Sequence, residues 1–438
     1  MTLAARPGLI ALAAAGLAFA AGLLVFGLLA RSSPAPRSPV DESDAVALAP
    51  GASTTARIAA LQATVRAAPT VSAYSALGLA YLQRVRETGD PSYYPRAEQA
   101  LRDGLRRDPR RVEALTGLGT LALARHDFQG GLRWALAARR VAPTAVDPFA
   151  VLVDAQVELG RYGAAQGSLQ EFVDRKPTLA SYARVSYFRE LHGDLDGAVA
   201  AMRLAVSAGG AAPENLSYVQ TLLGNLELDR GRVVPARLAY RAALVGLPGY
   251  VPALAGLARV DAARGHLGPA IARYRDVVAR LPLPENVIGL GDTELAAGRA
   301  AAAGQDLALV RVEERLLRAN GVDTDVDLTL FEANHGSPAA GVRLATRAWR
   351  DAPSVRSADA LGWALTRAGH PPEGLAWARR ALRLGSVDPA FLYHAGMSAL
   401  AAGDRADARS WLRASLARNP GWSPLYAPRA RRALEGLG

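Results

Sequence analysis

A glycine returns along this chain at Gly160, Gly193, Gly231, Gly265, Gly298, Gly336, Gly369 and Gly403. Five residues after each stands a small residue: Ala165, Ala198, Ala236, Ala270, Ala303, Gly341, Gly374 and Ala408. Seven residues before it lies a second position, small at Gly224, Ala258, Gly291, Gly362 and Gly396, but Val153, Ser186 and Thr329 elsewhere. A glycine that ends one helix, with small residues at fixed offsets on both sides, describes two helices packed closely around a tight turn. Prolines keep the same rhythm. Pro109, Pro143 and Pro177 are 34 residues apart, and Pro213, Pro248 and Pro282 follow at 36, 35 and 34. Pro353 and Pro420 lie 71 and 67 further on, two repeats each.

The stretch Ala73 to Pro109 is the first such unit. Tyr74, Leu77, Gly78 and Tyr81 share one helical face, and Ala97, Leu101 and Gly104 share another. One hairpin cannot bury its apolar face alone, so the copies must stack into a continuous core. A 34-residue helix–turn–helix period with this pattern resembles the tetratricopeptide repeat family over about Val71 to Pro420, some ten repeats. The resemblance implies an all-α, right-handed superhelical solenoid. First helices would line its concave face, and a protein or peptide partner would lie in that groove. Ala300 to Asn320 reads as one long helix, and the repeat around Asp323 to Asn334 is loose. Residues 53–70 and 421–438 are expected as capping helices around the array of 71–420, since the terminal repeats of a solenoid need cover.

Ahead of the array, Gly8 to Ala30 holds no charged residue and is bracketed by Arg6 and Arg31. Its length suits a transmembrane helix, which needs about 20 apolar residues. Residues 1–7 would form a short tail and 31–52 a Pro-, Ser- and Ala-rich spacer. An uncleaved signal anchor is expected, with a cleaved signal peptide as the alternative. The expected location is a single-pass membrane protein with its repeat body extracytoplasmic, against a cytoplasmic body.

The chain has no cysteine, which excludes disulfides, thiolate metal sites, a Cys nucleophile and a lipidated Cys anchor. The formal charge of +11 rests on arginine, with Lys176 the single lysine. Gly117-Leu118-Gly119 and Gly289-Leu290-Gly291 fall inside first helices and do not read as nucleotide loops. His126, His192, His266, His335 and His370 fall in turns of different repeats, too far apart to share a metal, and are expected on a wet edge. His394 lies on a first helix near the groove. No catalytic constellation, metal site or cofactor is expected, and the chain reads as a binder rather than an enzyme.

The groove positions are Asp154, Glu158, Tyr187, Glu190, Tyr218, Asn225, Asp229, Arg259, Asp292, Asp359, Trp363, Arg367 and Tyr393. Acids at helix starts are left out, because there they serve the helix dipole. Carboxylates outnumber arginines six to two in this set, whereas second helices carry Arg102, Arg106, Arg107, Arg133, Arg139, Arg140, Arg379, Arg380 and Arg383. The expectation is a mildly acidic groove with exposed Tyr and Trp, suited to a basic or amphipathic peptide. The alternative is an anionic polymer, nucleic acid or cell-wall glycopolymer, held by the outer arginines.

Overall fold

The computed structural model describes residues 53–210 and 212–438, and among them there are 22 α-helices and no strand. The segment 8–30 read as membrane-spanning, its tail and its spacer lie outside the described residues. Among the described residues no helix is long and apolar enough to cross a membrane.

Helix α1 (Thr54–Ala67) opens the array, started by the Ser53 side chain accepting from the Ala56 amide. Five hairpins follow: α2 (Val71–Thr88) with α3 (Tyr93–Arg107), α4 (Val112–Ala124) with α5 (Phe128–Val141), α6 (Pro148–Glu158) with α7 (Tyr162–Arg175), α8 (Leu179–Leu191) with α9 (Leu195–Ala208), and α10 (Pro213–Asp229) with α11 (Val233–Gly246). Five more complete the set: α12 (Val251–Ala263) with α13 (Leu267–Arg280), α14 (Pro284–Ala296) with α15 (Ala300–Ala319), α16 (Asp325–His335) with α17 (Pro338–Asp351), α18 (Val355–Arg367) with α19 (Pro371–Ala381), and α20 (Pro389–Ala401) with α21 (Arg405–Ala417). Helix α22 (Tyr426–Glu435) packs last. Pro213 proves to be the first residue of α10, not a stop after α9, which accounts for the 36-residue spacing there.

The offsets around the turn glycines translate directly into packing. Ala165, Ala198, Ala236, Ala270, Ala303 and Ala408 are all fully buried. At Gly224 a Cβ would meet the Tyr240 ring at 2.5 Å, closer than real side chains approach. Tyr240 of α11 therefore lies flat against its own partner helix, and its hydroxyl donates to Asn225 Oδ1 at 2.7 Å. Seven of the eight turn glycines have left-handed φ between 67° and 90°. Gly336 does not, with φ −132°; there the Glu332 carboxylate accepts the Ser337 amide at 2.7 Å and shapes the turn instead. In the second hairpin His126 holds the left-handed position, φ 61°, without being glycine.

The superhelix closes on itself. His126 Nδ1 lies 2.5 Å from the Asp323 carbonyl, and the Asp323 amide donates to the Arg125 carbonyl at 2.9 Å. Tyr162 Oη accepts the Val355 amide at 2.8 Å. Gly193 faces the Gly385 carbonyl and Gly231 the Arg418 carbonyl, and Asn419 Nδ2 donates to the Leu228 carbonyl at 2.8 Å. These partners are 191 to 198 residues apart where hydrogen-bonded. The tight turns of hairpins two to five thus abut connections that come between five and six hairpins later. A seam runs between successive superhelical turns, and an open concave groove becomes an enclosed lumen.

Candidate binding lumen

The lumen is narrow at the N-terminal end. Gln83 and Arg86 of α2 reach across it to Glu214 of α10, each at 3.4 Å, and the Tyr250 hydroxyl donates to the same carboxylate at 3.4 Å. Deeper in, Asp154 and Arg184 form a buried bidentate pair, Nε to Oδ1 at 2.9 Å and the terminal nitrogen to Oδ2 at 2.6 Å. Burial pushes the Asp154 carboxyl up to about 7 while the Arg184 guanidinium draws it down. Tyr218 is buried beside them.

Past this constriction the lumen widens into a chamber of about 280 Å³, lined by Tyr187, Glu190, Asn225, Asp229, Arg259, Arg356 and Asp388 among others. An adjoining space of about 200 Å³ shares Tyr187, Glu190, Asp229, Arg356 and Asp388 and adds Asp359 and His394. Asp229 accepts from Arg259 at 3.3 Å, and burial still raises its carboxyl to about 6. Glu190 stands at about 8: burial pushes it up first, and the Asp229 and Asp388 carboxylates add to that. Among the described residues Glu190 has no ion-pair partner within contact distance, although Arg356 and Arg259 lower its value from farther off. Asp388 caps α20 by accepting the Ala390 and Phe391 amides at 2.8 and 3.0 Å. Glu158, behind Arg356, accepts from the Tyr187 hydroxyl at 3.2 Å; burial raises its carboxyl and Arg356 opposes the rise.

Of the residues expected in the groove, Tyr187, Glu190, Asn225, Asp229 and Arg259 meet in the chamber, with Asp359 beside them. The others do not. Trp363 and Tyr393 are 4% and 2% exposed, and Tyr218 is 6%, which corrects the expectation of exposed Tyr and Trp. Trp363 stacks on His394 with centroids 4.6 Å apart and donates to Asn334 at 2.9 Å, while Tyr393 packs among Trp363, Trp422 and Tyr426. These rings glue the last repeats to the end of the chain. Arg367 is exposed and donates to the Ala333 carbonyl at 3.1 Å. Asp292 is taken by His335 Nε2 at 3.0 Å.

Two histidines placed on a wet edge from sequence are structural instead. His335 is a half-buried partner of Asp292, and His126 sits in the seam. His394 is buried and holds Asp359 Oδ2 at 2.9 Å. Arg184, Arg356 and Asp388 were missed. Asp388 stands at the start of α20, where an acid serves the helix dipole, and Arg356 lies in the first turn of α18, off the groove register. Among the described residues no group of three or more His, Asp and Glu is placed to hold a metal ion.

Outside, the second-helix arginines are exposed, apart from the half-buried Arg139, and several are engaged. Arg380 lies over Trp349 and Trp377 at 4.7 and 5.2 Å, and Arg107 over Tyr74 at 4.5 Å. Arg379 pairs with Asp404 and Asp407 at 2.9 and 2.8 Å. They tie neighbouring helices together.

The sequence profile of the tetratricopeptide repeat matches residues 92–146, 151–215 and 360–423. No curated protein matches the chain. Several solved structures are similar in outline. A human IFIT1 dimer with m7Gppp-AAAA is 15% identical, over 76% of this chain and 77% of that one, with a TM-score of 0.48. The Cut9–Hcn1 hetero-tetramer of the APC/C is 16% identical over 88% and 83%, at 0.39. A thermophilic TPR protein of Thermus thermophilus is 21% identical over 42% and 95%, at 0.37. Repeats of this kind generally mediate protein interactions, and the described part of this chain is a TPR-type helical-repeat scaffold.

Proposed function

We propose that the chain is a membrane-anchored scaffold that takes a segment of a protein partner into its lumen. Residues 8–30 serve as the anchor, and the repeat body stands on the extracytoplasmic side. The role is binding, not catalysis. The observation that carries this reading is the polar chamber enclosed by α8, α10, α12, α18 and the start of α20. Its walls hold more carboxylate than guanidinium, so a basic segment is the matching occupant. An enclosed lumen admits a chain end or an extended loop, not a folded domain.

The test is photocrosslinking in the native membrane. A benzophenone amino acid at Tyr187 or Glu190 should give one dominant protein product, and the same probe at Arg140 on the outer face should not. Products from Arg140 alone would refute the lumen as the site. Salt-dependent retention on heparin would instead support an anionic polymer on the outer arginines. Their engagement with rings and carboxylates speaks against that reading. Protease protection of the repeat body settles the side of the membrane.

A further inference from the structure

The chamber has features that a simple structural lining does not need. Glu190 is the penultimate residue of α8 and Asp229 the last of α10. An acid at a helix C-terminus faces the negative end of the dipole and weakens the helix. Two such acids, with Asp388 facing them from the start of α20, load like charge onto the chamber. Arg259 is taken by Asp229, and the Asp359 carboxylate by His394. That leaves Glu190 and Asp388 against Arg356, a surplus of one carboxylate once Glu190 is ionised, and the described acids do not close into a metal-ligand set.

Two buried polar atoms point to the rest of the ligand. Asn225 is 7% exposed, and its Oδ1 is filled by Tyr240 and Arg259 at 2.7 and 3.1 Å. Because Arg259 can only donate, the oxygen assignment is fixed, and the amide nitrogen is the atom left over. Asn225 lines the chamber, and its buried Nδ2 has no hydrogen-bond partner. Asp359, 2% exposed, lines the adjoining space, and its buried Oδ1 likewise has no partner. A buried donor or acceptor without a partner is costly, so such atoms in a built cavity mark positions a ligand fills. The chamber's volume is large against the roughly 10–15 Å³ one water occupies on this measure.

We propose that this chamber binds an ammonium group carried beside a carbonyl oxygen. Glu190, Asp229 and Asp388 receive the cation, and Asn225 Nδ2 donates to the oxygen. A lysine residue of a peptide and free lysine share this chemistry. The inference does not depend on a protein partner, and its failure would leave the crosslinking result standing.

Glu190 is faced by Asp229 on α10, Arg259 on α12, Arg356 and Asp359 on α18, Asp388 and His394 around α20, and Tyr187 on its own helix. With its carboxyl at about 8 it is largely protonated at neutral pH. Binding a cation requires its carboxylate, so binding releases a proton and tightens as pH rises from 6 to 9.

The full-length chain is titrated calorimetrically with Nα-acetyl-lysine amide, free lysine, cadaverine and Nα-acetyl-glutamate amide. At least one lysine form should bind saturably, and which one does assigns the peptide or the free source. Cadaverine, lacking the oxygen, should bind about tenfold more weakly, the effect of one lost good hydrogen bond. The glutamate compound should not bind. Glu190→Gln should weaken lysine binding by about tenfold or more and abolish the proton release seen across buffers of different ionisation enthalpy. The proposal is overturned if neither lysine form binds, if the glutamate compound binds as well, or if Glu190→Gln changes nothing. Equal binding of cadaverine overturns the part assigned to Asn225.

Discussion

Glu190→Gln should stabilise the folded chain, and the gain should depend on pH. The carboxyl stands at about 8 against an ordinary 4.5. Its folded value lies above its unfolded one, so the folded chain keeps a proton that the unfolded chain releases. Stability contributed by this group therefore falls as pH rises from about 4.5 to about 8, and is level beyond. At roughly 1.4 kcal/mol per unit the loss is at most about 5 kcal/mol. Glu190 is half-buried and keeps part of its surface accessible, so screening reduces this to about 1–2 kcal/mol. Glutamine has nearly the same shape and no charge, and the carboxylate it replaces has no ion-pair partner in contact to lose. The variant should thus gain about 1–2 kcal/mol at pH 9 and approach zero gain at pH 4.5. Urea unfolding followed by circular dichroism at both pH values measures it, as a difference from the parent chain. Taking that difference cancels Asp154, whose carboxyl is also raised but does not act on Glu190. A variant destabilised at both pH values, or stabilised equally at both, refutes the account of Glu190 as a strained carboxyl.

Other outcomes follow from the seam and the buried pair. Gly231→Ala and Gly265→Ala share a left-handed φ of 74° and 76°, but only Gly231 faces a carbonyl across the seam, while nothing lies near Gly265. Both should lose about 1 kcal/mol to backbone strain. Only Gly231→Ala should also expand the particle in small-angle X-ray scattering and expose the Arg418 connection to protease. Arg184→Met strands a buried carboxylate and should cost about 3–5 kcal/mol in urea unfolding, whereas Arg184→Met with Asp154→Leu should recover most of it. Asn419→Ala removes the bond to the Leu228 carbonyl and should cost only about 0.5–1.5 kcal/mol by the same assay, because that carbonyl keeps the Gly231 amide at 2.8 Å.

Much of this architecture could be read from the chain. The helix-ending glycines and the small residues at fixed offsets define each hairpin locally, since both partners lie within some 20 residues. The 20-residue α15 and the short α16 stood out from the same register. What did not stand out is the twist from one hairpin to the next. Each repeat adds a small rotation that no single residue encodes, and only their sum decides whether Gly193 meets Gly385. The expectation of exposed rings at Trp363 and Tyr393 failed for a related reason: α22 and Trp422 fold back over Tyr393, and His394 and Tyr393 of the next hairpin cover Trp363. The chamber was half legible. Its acids on first helices came from the register, whereas Arg356 and Asp388 reach it from a helix start and a connection that only the closed superhelix brings near.

The seam has a consequence in time. Hairpins form from neighbouring residues and can fold as they emerge, but the chamber's two walls are about 190 residues apart in the chain. At about 5–20 residues per second, residue 190 is made roughly 10–40 s before residue 388. During that interval the α8–α12 wall stands open along its whole side. Whatever the finished lumen admits only through its ends, the nascent chain can accept laterally, and arrival of α18 and α20 then encloses it.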